Sequence, residues 1–120
     1  MNFLSNEITI IIVLYEEKAN LVLQCLENIK NFKIIIIDNA GNTYLRKKIK
    51  EKFQIYEYIL NNKNYGWSIA VNQAIKQCDT EYIFVLQDTL HADTFISHMK
   101  KKNIKATIVK LSKETRGALL

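Results

Sequence analysis

The chain has 120 residues, 48% of them apolar and 24% charged, with a formal net charge of +5. That length suits a single domain over residues 1–120, and the apolar share supports a core without disulfide or metal staples. The basic balance favours anionic partners such as nucleotides, nucleic acid or an acidic membrane face, without choosing among them.

The first predicted element is residues 8–15, ITIIIVLY, a solid β-branched run of the kind found in strands covered on both faces. It is too short to span a bilayer, and neither a basic leader nor a small-residue cleavage site accompanies it, so no secretory signal is expected. Val22, Cys25, Leu26 and Ile29 then recur at the spacing of one helix face. Cys25 and Cys78 both fall in apolar helical patterns and read as small buried hydrophobes, in keeping with a reducing cytoplasm.

KIIIID, residues 33–38, is a second solid strand, followed by the turn DNAGN and a helix with Leu45, Ile49 and Phe53 inward. The outer face of that helix, residues 46–52, is basic and reads as solvated. IYEYIL, residues 55–60, is a third strand, in which Tyr56 and Tyr58 look like half-buried edge residues. After NNKNYG comes a helix over about residues 67–77, with Ala70, Ala74 and Ile75 inward and Trp67 covering the helix–sheet junction. EYIFVLQD, residues 81–88, is a fourth strand; a helix over 94–102 and a fifth strand at 106–111 complete the set. His91 and His98 find no third ligand for a zinc site and read as surface residues.

Strand and helix alternate throughout. The expected fold is therefore α/β, a mostly parallel sheet of about five strands with helices on both faces. Ligands of such sheets bind beyond the carboxyl ends of the strands. Those ends are polar: Tyr15-Glu16-Glu17, Asp38-Asn39, Asn61-Asn62 and Gln87-Asp88. Asp38 and Asp88 can each serve as a turn or helix-capping residue. As a pair on one rim they can also share a nucleotide, one accepting a base N–H and the other helping to hold a hard cation on phosphate. Gly66 before a helix would let backbone N–H groups approach a phosphate or sugar. No GxGxxG follows the first strand and no GxxxxGK[ST] occurs, which disfavours dinucleotide oxidoreductases and P-loop enzymes. Basic residues are not interleaved with aromatics on one surface, so nucleic acid is not an expected partner.

Taken in order, ITIIIVLYEEKANLVLQCLENI, KIIIIDNAGN, NNKNYGWSIAVNQAI and EYIFVLQDT resemble the successive blocks of a family 2 glycosyltransferase of rhamnosyltransferase-like type. The resemblance covers roughly residues 7–100, and its most specific block is Asn64, Gly66, Ala70 and Asn72. It implies a GT-A, Rossmann-like fold and metal-assisted transfer of sugar from a UDP- or dTDP-linked donor. The acceptor would be a cell-surface glycan or a lipid-linked molecule. On this resemblance Tyr15 lines the base pocket, Asp38 reads the base, and Asn64 and Gly66 lie beside the nucleotide sugar. Asn72 orders the helix, and Asp88 binds Mg2+ or Mn2+ on the diphosphate.

The sequence departs from the family at Glu16, where an asparagine is usual, and at Leu86, in place of the first acid or amide of the metal motif. The family's second half, with the acceptor pocket and catalytic base, has no counterpart, so the chain looks truncated. Neither Asp93 nor Glu114 is assigned as base, and the catalytic residues stay unassigned. A cytoplasmic location follows, with room for peripheral contact at the inner membrane face and for a partner chain that supplies the acceptor half. The alternatives are a non-catalytic nucleotide-binding domain or partner subunit and, ranked last, a flavodoxin-like or receiver-like module, which would need a phosphoacceptor where Leu60-Asn61 stands.

Overall fold

The computed structural model describes residues 6–86 and 109–110. The expected helix over 94–102, together with His91, His98, Asp93, Asp88 and Glu114, lies outside the described residues. Within them the elements follow the predicted order: β1 (Ile8–Leu14), α1 (Ala19–Ile29), β2 (Lys33–Asp38), α2 (Thr43–Lys52), β3 (Glu57–Leu60), α3 (Trp67–Gln77), β4 (Tyr82–Leu86) and β5 (Val109–Lys110).

The strands lie in the order β3-β2-β1-β4-β5. β1, β2, β3 and β4 are mutually parallel, whereas the two-residue β5 runs antiparallel to β4. The chain steps outward from β1 to β2 to β3, then crosses back over β1 to β4. When every crossover has the same hand, that reversal sends the helices to opposite faces. α1 and α2 cover one face and α3 the other.

Two-sided burial explains the solid isoleucine runs. Ile10, Ile12, Ile34 and Ile36 pack with Val22, Leu26, Ile29, Leu45 and Ile49 of α1 and α2. Their neighbours Ile11, Ile35 and Ile37 pack with Ala70, Ala74 and Ile75 of α3. Alternate residues thus serve opposite cores, each fully buried side chain contributing about 1.5–3 kcal/mol of gross transfer free energy. Thr9, the polar residue within the first run, is also fully buried, and its hydroxyl meets that of Thr80 at 2.5 Å. The period of two carries Asp38 to the same face as Ile34 and Ile36, toward α2. A one-residue slip would exchange the faces and remove it from that site.

Two aromatic expectations are corrected. Tyr58 is 5% exposed and belongs to the core beneath α1 and α2, while Tyr56 is exposed. β3 is an edge strand, but α2 covers one of its faces, so alternate residues along it meet different surroundings. Trp67 does not cover the helix–sheet junction; it opens the first turn of α3 and is exposed.

Candidate functional site

The carboxyl ends of β1, β2 and β3 form a polar rim. Leu14 pairs with Asp38, and Asp38 pairs with Leu60, so the three strands finish level. The pairing continues one step beyond: Asn39 N–H donates to the Leu14 carbonyl at 2.8 Å, and Asn61 N–H to the Asp38 carbonyl at 2.9 Å. Because side chains alternate along a strand, Asp38 and Asn39 enter different environments.

Asp38 is 1% exposed and accepts three hydrogen bonds. Its Oδ1 takes the Ala40 N–H at 2.9 Å, and its Oδ2 takes the Asn42 N–H at 3.1 Å and the Tyr58 hydroxyl at 2.7 Å. The two amides close the turn after β2. Asn42 then caps α2, its side-chain oxygen accepting from the Leu45 N–H at 3.0 Å. The helix cap is thus Asn42, and Asp38 organises the turn that presents it. A carboxylate offers about four lone-pair positions, so one remains, on Oδ1. The Tyr58 phenol pays for its burial by losing acidity: burial first, and then its bond to Asp38, hold its pKa well above the ordinary value.

The turn rests against β3. Gly41 has φ 63°, and a side chain there would place Cβ 2.9 Å from the Asn61 carbonyl oxygen. Both the backbone conformation and the contact require glycine.

Beside Asp38 lies a pocket of about 270 Å³. Tyr15 and Glu17 line it from the end of β1, Asp38, Ala40 and Asn42 from the end of β2, and Leu14 and Leu45 add apolar surface. Pockets that hold drug-sized ligands run to roughly 300–1,000 Å³, so this one suits a single heterocycle better than a whole nucleotide sugar. Tyr15 is 47% exposed, an aromatic side chain at the mouth of the pocket. Glu17 accepts the Tyr15 N–H at 2.6 Å and fixes the loop leaving β1. Glu16 also lines the pocket.

On the α3 side the rim is built from amides. Asn61 and Gln73 exchange two hydrogen bonds, at 2.8 and 2.9 Å. Asn61 Nδ2 also donates to Asn39 Oδ1 at 2.8 Å, and Asn39 Nδ2 donates to the Gly66 carbonyl at 3.3 Å. This chain of amides fastens the ends of β2 and β3 to the start of α3. The sequence pointed to Asn72 for ordering this helix. Among the described residues the tie is made by its neighbour Gln73, and Asn72 forms no side-chain hydrogen bond. The signal available for Gln73 was its place among the amides of NQA, one position closer to the inward face at Ala70 and Ala74.

Asn64 and Gly66 do come together, in a turn of their own. Asn64 Oδ1 accepts the Gly66 N–H at 2.9 Å. Gly66 has φ 85° and ψ 179°, a conformation that other residues rarely adopt, and a Cβ there would meet nothing within 4 Å. Glycine is needed for its backbone angle rather than for room, and its own N–H is already engaged. Gly66 stands at the N-cap of α3, immediately before the first-turn N–H groups of the helix.

Of the residues singled out in the sequence, Tyr15 and Asp38 share the pocket. Asn64 and Gly66 form the adjoining loop, and Asn72 lies on α3. Asp88 lies outside the described residues. Among the described residues no group of three or more His, Cys, Asp or Glu side chains is placed to hold a metal ion. Asp38, with three of its lone-pair positions taken by neutral donors, is built to accept a hydrogen bond and not to ligate a cation. No helix among the described residues is long and apolar enough to cross a membrane.

Comparison with known proteins gives the site its context. The family glycosyl transferase family 2 matches residues 9–110. Among solved structures, S. aureus TarS is similar at TM-score 0.55 and 19% identity, over 77% of this chain and 20% of that one. S. aureus TarS 1–349 in complex with UDP is similar at TM-score 0.54 and 20% identity, over 76% of this chain and 32% of that one. The present chain thus spans about a fifth to a third of these neighbours, and the likeness is one of fold. No curated protein matches in sequence.

Proposed function

The chain belongs to glycosyl transferase family 2, and from that premise we propose that it binds the nucleotide of a sugar donor, with its base in the pocket between Tyr15 and Asp38. The reaction served is transfer of the sugar from a UDP- or dTDP-linked donor to a cell-surface glycan or lipid-linked acceptor. One observation carries the reading: Asp38 is buried and fixed by three donors, yet lines a base-sized pocket with one lone-pair position to spare. That is the provision needed to accept a single N–H, such as the imide of uracil or thymine. Tyr15 supplies a stacking surface, and the amide chain holds the Asn64–Gly66 loop at the flank.

A divalent cation, Mg2+ or Mn2+, would neutralise charge on the departing diphosphate. Asp88, two residues past the end of β4 in the sequence, is the residue proposed to hold it. The basic outer face of α2, with Arg46, Lys47 and Lys50 along one shallow groove, offers a contact for the inner membrane face where a lipid-linked acceptor would lie.

A second reading is nucleotide binding without transfer, with a partner chain completing the acceptor side. The chain spans 20% and 32% of the length of these structural neighbours. Incubation with Mn2+ and UDP- or dTDP-sugars, with binding and sugar release or transfer both measured, separates the two. Turnover supports transfer, and metal-dependent binding without turnover supports the second reading. Asp38→Ala should weaken nucleotide binding with or without EDTA, whereas Asp88→Ala should remove only the metal-dependent part. Unchanged affinity in Asp38→Ala would reject the pocket.

A further inference from the structure

The buried acceptor at the rim has a partner that lies away from the pocket lining. Tyr58 sits 20 residues from Asp38 in the sequence, on the neighbouring strand, and donates its hydroxyl to Oδ2 at 2.7 Å in a buried contact. The other donors to the carboxylate, the N–H groups of Ala40 and Asn42, belong to the adjoining turn and would form with any residue able to brace that turn. Tyr58 is different. Its ring is packed in the core beneath α1 and α2, so it brings a donor from a packed strand to Oδ2, the oxygen that also takes the Asn42 N–H, while Oδ1 takes only the Ala40 N–H.

Resting on the nucleotide reading above, we propose that Tyr58 is a positioning residue that sets base selectivity. The Ala40 and Asn42 amides already hold one oxygen each; by filling the second position on Oδ2, Tyr58 closes that oxygen and leaves a single acceptor position, on Oδ1. A fixed single acceptor matches the N–H at position 3 of uracil or thymine. It meets a lone pair at the same position of cytosine and repels it. A carboxylate with a second open position, on Oδ2, could instead take the 4-amino group of cytosine. Selectivity for uridine over cytidine nucleotides therefore depends on a phenol that need not touch the base.

The test is binding of uridine and cytidine monophosphates to the whole chain in EDTA, so that no metal assignment enters. The variants are Tyr58→Phe, Asp38→Asn and the double variant, with thermal melting measured on each. Loss of a hydrogen bond to a charged group should weaken uridine monophosphate binding about tenfold in Tyr58→Phe. Cytidine monophosphate binding should change by less than about twofold, so the preference between the bases narrows. In the Asp38→Asn background, Tyr58→Phe should have no further effect on the uridine preference. A merely structural tyrosine would weaken both nucleotides alike, or would add its effect to that of Asp38→Asn. Either result overturns the role of Tyr58 while leaving the pocket in place. Absence of uridine binding to the unaltered chain would overturn both this inference and the nucleotide reading. If Tyr58→Phe melts too low to assay, Tyr58→Leu and Tyr58→Met replace it; neither carries a donor to Oδ2, and a uridine preference retained in both overturns the role.

Discussion

The two ends of β2 are finished by opposite means. At the amino end Lys33 meets Asp79 at 2.7 Å, with the Tyr56 hydroxyl 3.5 Å from the same carboxylate and the lysine ammonium 4.3 Å from the Tyr56 ring centre. These side chains stand in water, and the Lys33 ammonium holds the Asp79 carboxyl below its ordinary range. At the carboxyl end Asp38, Asn39 and Asn61 are buried, and every partner they have among the described residues is neutral. This ion pair ties the start of β2 to the connection between α3 and β4 but leaves its groups screened by solvent. A buried carboxylate held by three donors from the adjoining turn and strand is fixed in direction. The contrast sets the carboxyl end of the sheet, where the proposed nucleotide pocket lies, apart from its amino end.

The sharpest way to break that contrast is to remove the amide at its centre. Asn61→Ala would strand the Gln73 side-chain oxygen and the Asn39 Oδ1, at a cost of about 1–3 kcal/mol, read by urea denaturation. A loss below about 0.5 kcal/mol would mean that the buried rim is as soft as the exposed one. Gly41→Ala probes the same end by a different route. Strain at positive φ together with the 2.9 Å approach to Asn61 predicts a loss of about 1–2 kcal/mol, and a neutral outcome would place the turn elsewhere.

An alkaline titration sharpens the comparison further. The fold holds the Tyr58 phenol protonated above its ordinary value of 10.0. Its contribution to stability is fully present below that pH and is lost as pH rises toward the folded value, because the unfolded chain releases the proton first. Stability should therefore fall more steeply above pH 10 in the native chain than in Tyr58→Phe, and parallel curves would contradict it. The smallest effect belongs to the amino end. Lys33→Ala or Asp79→Ala should cost about 0–1 kcal/mol, and the difference should shrink in 1 M salt. A larger, salt-insensitive loss would erase the distinction between the two ends.

Much of the architecture was legible in the residues. The isoleucine runs announced strands covered on both faces, and the helical spacing of Val22, Cys25, Leu26 and Ile29 named the inward face of α1, all four of which are buried. Asp38 and Tyr15 were visible as strand-end residues, and both line the pocket. Tyr58 was misread because strand alternation shows which residues share a face but not which face a helix will cover. Gln73 was not singled out in the sequence, because an amide on a helix shows its partners only once the neighbouring strand ends are in place. Gly66 was noticed as the residue before the helix, and its positive φ was not legible from the sequence.

The sequence by itself determined the order of the elements, the two-sided burial of the central strands and the end of the sheet where polar residues gather. Those properties are periodic and local, carried by side chains a few positions apart. Only the tertiary structure decided which polar atoms meet. Asp38 finds Tyr58 across 20 residues, Asn61 finds Asn39 across 22, and Asn61 finds Gln73 across 12. These partnerships depend on strand register and on the face each helix covers, and no local pattern in the chain encodes the distance between two atoms on different strands.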